Sequence, residues 1–432
     1  MKKILRKLLV VTGVLTIIGI IGSVVLYFQY EKDLYVPSDS HVTDIMLRGG
    51  TLFDGIKTMP IPNPGILIRD GKISCISEHC EPRIDAIEID ATGNAIVPGL
   101  IDLHIHFMAT TAENVDLSVP RLIWNTARFR PDVRRKLLEA GITTVRDVGG
   151  PQDAMLDLKR MLANAELAGP RMNVVGPIFT APRSHPTRDG KDPNNSGIGG
   201  KMTFQSNDPA SVRREVNRLA KRGVDGIKAV LHSTAADSEQ PLPTLSRPTL
   251  NEIIQTAKEN NLWTAVHVGP QGDTGIAAEL GATTVEHGVR MGNLIDDETL
   301  RSLLENDVVY VPTLGREPLG HLNIPALFEN GVAIGVGTDT NNAEMSFGES
   351  YHLELEHLVE AGLPPADVLI AATRNGARGI GSLDDLGTIE VGKYADLLII
   401  QGEPWIEIKD LRKIKAVILD GRIVVENFEN AD

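Results

Sequence analysis

Between Gly99 and Asp339 the chain repeats one pattern eight times: a short apolar run of strand character, then a stretch whose apolar residues recur at helical spacing. The runs are Leu100–His106, Ile142–Asp147, Met172–Phe179, Gly226–Leu231, Trp263–Val268, Thr283–His287, Val308–Thr313 and Val332–Asp339. Strands that are apolar throughout and alternate with helices belong to a parallel sheet covered by its own crossovers. Eight such units over about 250 residues are what a closed (β/α)8 TIM barrel requires, so the α/β class and a barrel over 99–384 are expected. Glycines such as Gly141 and Gly223 stand just ahead of a run, where a helix ends in the left-handed conformation.

The flanks have a different texture. Asp44–Arg48, Gly65–Ile68 and Ala86–Ile89 alternate and are separated by Asp54-Gly55, Pro64-Gly65 and Asp70-Gly71, which reads as strands and hairpins. After the barrel, Ser350–Ala361 and Pro365–Gly376 read as helices, and strand character returns in Gly387–Ile389, Ala395–Ile400 and Ala416–Val425. Because chain termini of a domain often lie close together, segments 41–98 and 385–432 are expected to form one small composite β-sandwich domain. Residues 1–40 are read as a membrane anchor and linker. The 21 residues from Leu8 to Phe28 carry no charge, long enough as a helix to span a bilayer. Lys2, Lys3, Arg6 and Lys7 precede them, which keeps the N-terminus inside and predicts a single-pass protein with its catalytic domain on the extracytoplasmic side. A cleaved signal peptide is the alternative.

Charge and cysteine content narrow the partners. With 43 basic and 57 acidic residues the formal charge is −14, unlike the clustered basic surface that binds nucleic acid. A small-molecule substrate is expected, with a homo-oligomer as an open option. Cys75 and Cys80 are the only cysteines, too few for a disulfide framework or an all-thiolate zinc site. They form either one bond across a short loop or two thiols, and both readings stay open.

The runs end in polar residues, and barrel active sites are built at the C-terminal ends of strands. His104 and His106 are two apart, so both point to one side of their strand. Lys228 sits inside Gly226-Ile227-Lys228-Ala229-Val230-Leu231, where an isolated ammonium is costly. His267, His287 and Asp339 end the fifth, sixth and eighth runs. Imidazole and carboxylate suit a divalent ion such as zinc. A lysine whose pKa is lowered can take up carbon dioxide as a carbamate, an anionic oxygen ligand able to bridge two ions. Arg183, His185, His232 and Arg290 fall where strand-to-helix loops face a ligand, and are candidate substrate contacts. His352 and His357 lie on a helix with no strand end to aim them and are read as non-ligands.

Two segments carry a family resemblance: Pro98-Gly99-Leu100-Ile101-Asp102-Leu103-His104-Ile105-His106, and Leu386-Gly387-Thr388-Ile389-Glu390-Val391-Gly392-Lys393-Tyr394-Ala395-Asp396-Leu397. Through them the chain from residue 44 onward resembles the metal-dependent amidohydrolase superfamily, within it the prolidase-like and imidazolonepropionase-like group. The resemblance implies two Zn2+ ions: His104, His106 and Asp339 on the first, His267 and His287 on the second, and carboxylated Lys228 bridging. It also implies hydrolysis of C–N amide or peptide bonds, in dipeptides or N-acyl amino acids, by a metal-activated hydroxide with Asp339 as the catalytic proton carrier. A mononuclear deaminase or cyclic-imidate hydrolase, with Lys228 only structural, and a non-catalytic binding scaffold are the alternatives.

Overall fold

The structure, a computed structural model, describes residues 44–107, 131–150, 152–187, 202–234, 241–289, 294–340 and 346–428, with four helical positions, Gly13, Thr16, Gly19 and Gly22. Among the described residues seven strands precede the barrel: β1 (Ile45–Arg48), β2 (Thr51–Leu52), β3 (Ile61–Pro62), β4 (Ile66–Arg69), β5 (Lys72–Ile76), β6 (Ile87–Asp90) and β7 (Asn94–Pro98). The barrel region holds β8 (Leu100–Ile105), β9 (Ile142–Asp147), β10 (Arg171–Val174), β11 (Ile178–Thr180), β12 (Thr203–Gln205), β13 (Gly226–Leu231), β14 (Trp263–Val268), β15 (Thr284–Glu286) and β16 (Val309–Val311). Three strands follow it: β17 (Leu397–Gln401), β18 (Ile414–Leu419) and β19 (Arg422–Glu426).

The barrel strands pair in parallel, in the orders β8-β9-β10 and β12-β11-β13-β14-β15-β16. Two of the expected runs are less regular than their composition suggests. The third breaks into β10 and β11 at Gly176-Pro177, where Gly176 has φ +86° and proline offers no N–H to a ladder. The eighth, Val332–Asp339, forms only isolated bridges, yet it fills its place: Leu103 N–H donates to Val336 O at 2.9 Å, Asp339 N–H to His104 O at 2.7 Å and Gly335 N–H to Tyr310 O at 2.9 Å. It therefore closes the barrel between β16 and β8. A Cβ at Gly337 would lie 2.8 Å from His104 Cβ and 2.6 Å from Val311 Cγ1, so this run passes too close to its neighbours to carry side chains everywhere.

The outer helices form for local reasons. Helix Pro209–Arg222 opens with Asp208 accepting from the Ala210 and Ser211 N–H groups, has proline in its first turn, and ends on Gly223 at φ +86°, the N-cap and C-cap pattern that satisfies helix-end backbone groups. Its buried residues Val212, Val216 and Leu219 share one face and pack into the cluster that includes Ile227 and Ile254. The expected helix Pro365–Gly376 is two, Pro365–Ala372 and Arg374–Gly379, parted at Thr373.

β17 lies antiparallel to β7, with Leu397 opposite Pro98 and Gln401 opposite Asn94. The C-terminal strands are thus stitched to the strand that leads into the barrel, in a sheet ordered β19-β18-β17-β7-β2-β3. A second sheet, β5-β4-β1-β6, comes wholly from the N-terminal side. Ile45, Leu47, Ile66, Ile68 and Ile96 share one core with Leu397, Ile399, Ala416 and Ile418. Arg171, at the base of β10, stacks on Tyr394 at 4.5 Å and pairs with Asp396 and Asp420, tying barrel to sheet. Cys75 and Cys80 are joined by a disulfide.

The expectation of a single-pass membrane protein is corrected: among the described residues no helix is long and apolar enough to cross a membrane. Gly13, Thr16, Gly19 and Gly22 of the apolar run are helical, and the rest of Leu8–Phe28 lies outside the described residues. The extracytoplasmic placement built on that run falls with it.

Candidate metal centre

His104 and His106 project from the end of β8, as alternation requires, and Asp339 comes to meet them from the eighth run. One ligand atom from each of the three lies within 4.8 Å of the others. Asp339 Oδ1 is 3.6 Å from His104 Nε2 and 3.5 Å from His106 Nε2. The inner nitrogens are fixed elsewhere: His104 Nδ1 is 2.6 Å from Glu286 Oε2, and His106 Nδ1 is 3.0 Å from Gly149 O. His104 Nε2 is buried without a hydrogen-bond partner. Burial pushes the His104 imidazole well below its ordinary pKa, with Lys228, His106 and Arg146 adding to the effect. The neutral ring is the form that ligates.

Lys228 sits in the middle of β13 and is 3% exposed. Its Nζ is buried with no hydrogen-bond partner. Burial lowers its ammonium from 10.5 to about 8, with Arg146 acting in the same direction and the carboxylates of Glu286 and Asp339 opposing it. A buried amine and a buried imidazole nitrogen, both without hydrogen-bond partners, are costly unless something else meets them. Together with a nearby carboxylate they form a donor set suited to divalent ions.

His267 and His287 complete a ring of imidazoles. Their centroids are 4.5 Å apart, and His287 lies 4.7 Å from His104. His287 Nδ1 is 2.9 Å from Thr313 Oγ1. His267 Nε2 is 3.0 Å from His232 Nδ1, and His185 stacks on His267 at 4.8 Å with an interplanar angle of 19°. Of the four expected substrate contacts, His185 and His232 are therefore at the site. Arg183 is exposed and, among the described residues, forms no ion pair or hydrogen bond. Arg290 lies outside the described residues, as do 188–200 of the loop beyond His185.

Some residues of the site escape a reading by strand ends alone. Arg316 Nε lies 3.7 Å from Asp339 Oδ2 and 3.4 Å from Asp339 O. Glu354, buried on helix Glu349–Glu360, accepts from Leu314 N–H at 2.6 Å and Gly315 N–H at 2.8 Å, holding the loop that bears Thr313 and Arg316. Asp102 accepts from the backbone N–H groups of His104 and Thr338, and burial raises its carboxyl to about 7. Beneath the histidines, Arg146 Nη2 meets Glu286 Oε1 at 2.7 Å with both side chains fully buried. Like Lys228, Arg146 is a cation within a strand that is buried throughout.

The chain is similar to known proteins over most of its length. Imidazolonepropionase of Geobacillus sp. (strain WCH70) is 24% identical over 418 residues, covering 85% of this chain and 91% of the relative. 5'-deoxyadenosine deaminase of Methanothermobacter thermautotrophicus is 25% identical over 421 residues, covering 84% and 90%. A Xaa-Pro dipeptidase crystallised with methionine in its active site superposes with a TM-score of 0.75 at 25% identity, covering 88% of this chain and 99% of that one. The model of the amidohydrolase family matches residues 95–424, which spans the barrel and most of the strands after it. The chain is a hydrolytic enzyme acting on C–N bonds, and it belongs to the amidohydrolase family, in the prolidase-like and imidazolonepropionase-like group of that metal-dependent superfamily.

Proposed function

We propose that the enzyme hydrolyses amide bonds of dipeptides or N-acyl amino acids with two divalent ions, zinc by donor chemistry, and that residues 99–384 carry this chemistry while 41–98 and 385–432 support it. The observation that carries the proposal is the meeting of His104, His106 and Asp339 beside a buried Lys228 amine that has no hydrogen-bond partner. His104, His106 and Asp339 would hold the first ion, His267 and His287 the second, and Lys228, as a carbamate, would reach both. Divalent ions in such a site supply Lewis acidity and lower the pKa of water.

The protein groups do the rest. Asp339 takes the proton of the attacking water on a carboxylate oxygen and returns it to the leaving nitrogen, so the acid and base roles alternate. Arg316 Nε, 3.7 Å from Asp339 Oδ2, sets a cation beside that carboxylate and orients it. His185 and His232, stacked around His267, would offer ring N–H donors to a carbonyl or carboxylate oxygen of the substrate.

A second reading has its own support. Among the described residues the compact group comprises His104, His106 and Asp339 alone, which suits one ion and a deaminase or cyclic-amide hydrolase, the activities named for two relatives. Metal analysis with a Lys228→Ala variant separates the two. The dinuclear reading expects two ions per wild-type chain, fewer in the variant, and turnover of dipeptide or N-acyl amino acid libraries that collapses with the lysine. Full metal content and an unchanged rate in the variant point to the mononuclear enzyme.

A further inference from the structure

We infer that Glu286 is a positioning residue that sets which ring nitrogen of His104 is offered to an ion and strengthens that nitrogen as a ligand. The inference rests on the proposed metal centre, and specifically on the ion held by His104, His106 and Asp339. Glu286 Oε2 is 2.6 Å from His104 Nδ1, and both side chains are buried. A carboxylate only accepts, so Nδ1 carries the proton and the lone pair is on Nε2, the nitrogen facing Asp339. A negative charge behind a ligating imidazole raises its basicity, and such partners are commonly worth 10- to 100-fold in metal affinity.

What keeps Glu286 in place is a cation from the second barrel strand. Arg146 Nη2 takes Glu286 Oε1 at 2.7 Å, and Nη1 donates to Thr284 Oγ1 at 2.9 Å and to Gly379 O at 3.2 Å. Its Nε donates to Leu103 O, and the guanidinium lies over the Trp263 ring at 5.0 Å. Arg146 has no lone pair to offer, so whatever occupies position 286 must present an acceptor towards it. In a Glu286→Gln variant the amide oxygen would serve Arg146 and the amide nitrogen would face His104. That nitrogen donates, so His104 would have to accept at Nδ1 and carry its proton on Nε2, the wrong tautomer for ligation. By contrast, the partner of His287 Nδ1 is the neutral hydroxyl of Thr313 at 2.9 Å.

The test titrates the chelator-treated full chain with Zn2+ against a chromophoric competitor, and with Co2+ by its ligand-field spectrum. In Glu286→Gln, the ion at His104 should bind roughly 10- to 100-fold more weakly with an altered Co2+ spectrum. Removing one partner of a buried ion pair can unfold a protein, so the double variant Arg146→Met/Glu286→Met, which takes both charges away, is measured beside it with a thermal melt. Folded variants that keep wild-type affinity overturn the role of Glu286 and leave the metal centre standing. A wild-type chain that binds neither ion overturns both.

Discussion

Replacing Lys228 with methionine separates what this side chain costs from what it does. In the folded protein burial lowers its ammonium from 10.5 to about 8. At about 1.36 kcal/mol per unit this amounts to ~3 kcal/mol of stability forgone. The sign follows from proton counting. Between the two values the unfolded chain binds a proton that the folded chain does not, so stability rises with pH across that window. The penalty is complete below about pH 8 and gone above about 10.5. Methionine has similar length and no charge, so Lys228→Met without metal should be more stable than wild type by ~3 kcal/mol at pH 7, and by little at pH 10.5. With an unfolding entropy of roughly 2.1 cal/mol/K per residue over 432 residues, that is a rise in Tm of about 3 °C. Calorimetry on chelated protein in bicarbonate-free buffer at both pH values measures it, while hydrolysis by the metal-loaded variant should drop at least about a hundredfold. A variant that melts at or below the wild-type temperature at pH 7 refutes the reasoning, because the amine would then have a native partner.

Three further outcomes are expected. His352, held neutral by burial with its pKa lowered from 6.5 to about 4, withdraws stability as pH falls from about 6.5 to about 4. The loss is ~3 kcal/mol, and urea titrations at pH 7 and pH 4 should show a drop smaller by that amount in His352→Gln. Asp339→Asn removes the proton carrier and should lower kcat by about 10^2- to 10^4-fold, read in steady-state assays at fixed metal occupancy. Gly288 has φ +65°, and a Cβ there would meet Tyr310 Oη at 1.7 Å. Gly288→Ala should therefore cost about 2–3 kcal/mol in chemical denaturation, and weaken the site because it displaces the residue following His287.

The barrel was legible because its signal is repetition: apolar runs and helical stretches alternate, and each unit is set by nearby residues. The nearness of His104 and His106 was legible too, since a spacing of two at a strand end is a local signal, and it holds although the pairing of β8 with β9 shifts register between Leu100 and Ile101 and between Asp102 and Ile105. What resisted reading depends on partners far along the chain. Glu286 stands next to His287 and looks like a polar residue at a strand end, and its meaning comes from His104 and Arg146, 182 and 140 positions away. Arg146 could have been found by the test applied to Lys228, a cation where the strand should be apolar. The membrane reading came from the length of one uncharged run and the basic residues before it, and has no spanning helix among the described residues to support it.

Backbone geometry is the deepest part of the site that the sequence conceals. His287, Thr313 and Asp339 end the sixth, seventh and eighth runs with φ of +71°, +50° and +51°, a conformation that a β-branched residue such as threonine rarely adopts. No residue preference announces it, because glycine would be the cheap choice at each position and would bring no functional side chain. The conformation is held from outside instead. His287 N–H donates to Val311 O at 2.8 Å, Asp339 N–H to His104 O at 2.7 Å, and Thr313 O accepts from both Arg316 and Glu317 N–H at 2.9 Å. Each turn is thus fixed by a neighbouring strand or by the loop that Glu354 anchors. Strain of about 1–3 kcal/mol per residue persists only where surrounding structure over-determines it, and here it falls on two proposed ligands and on the hydroxyl that holds one of them. The barrel's regular hydrogen bonding therefore does more than stabilise the fold: it forces side chains of distant strands out of the ladder and towards one point.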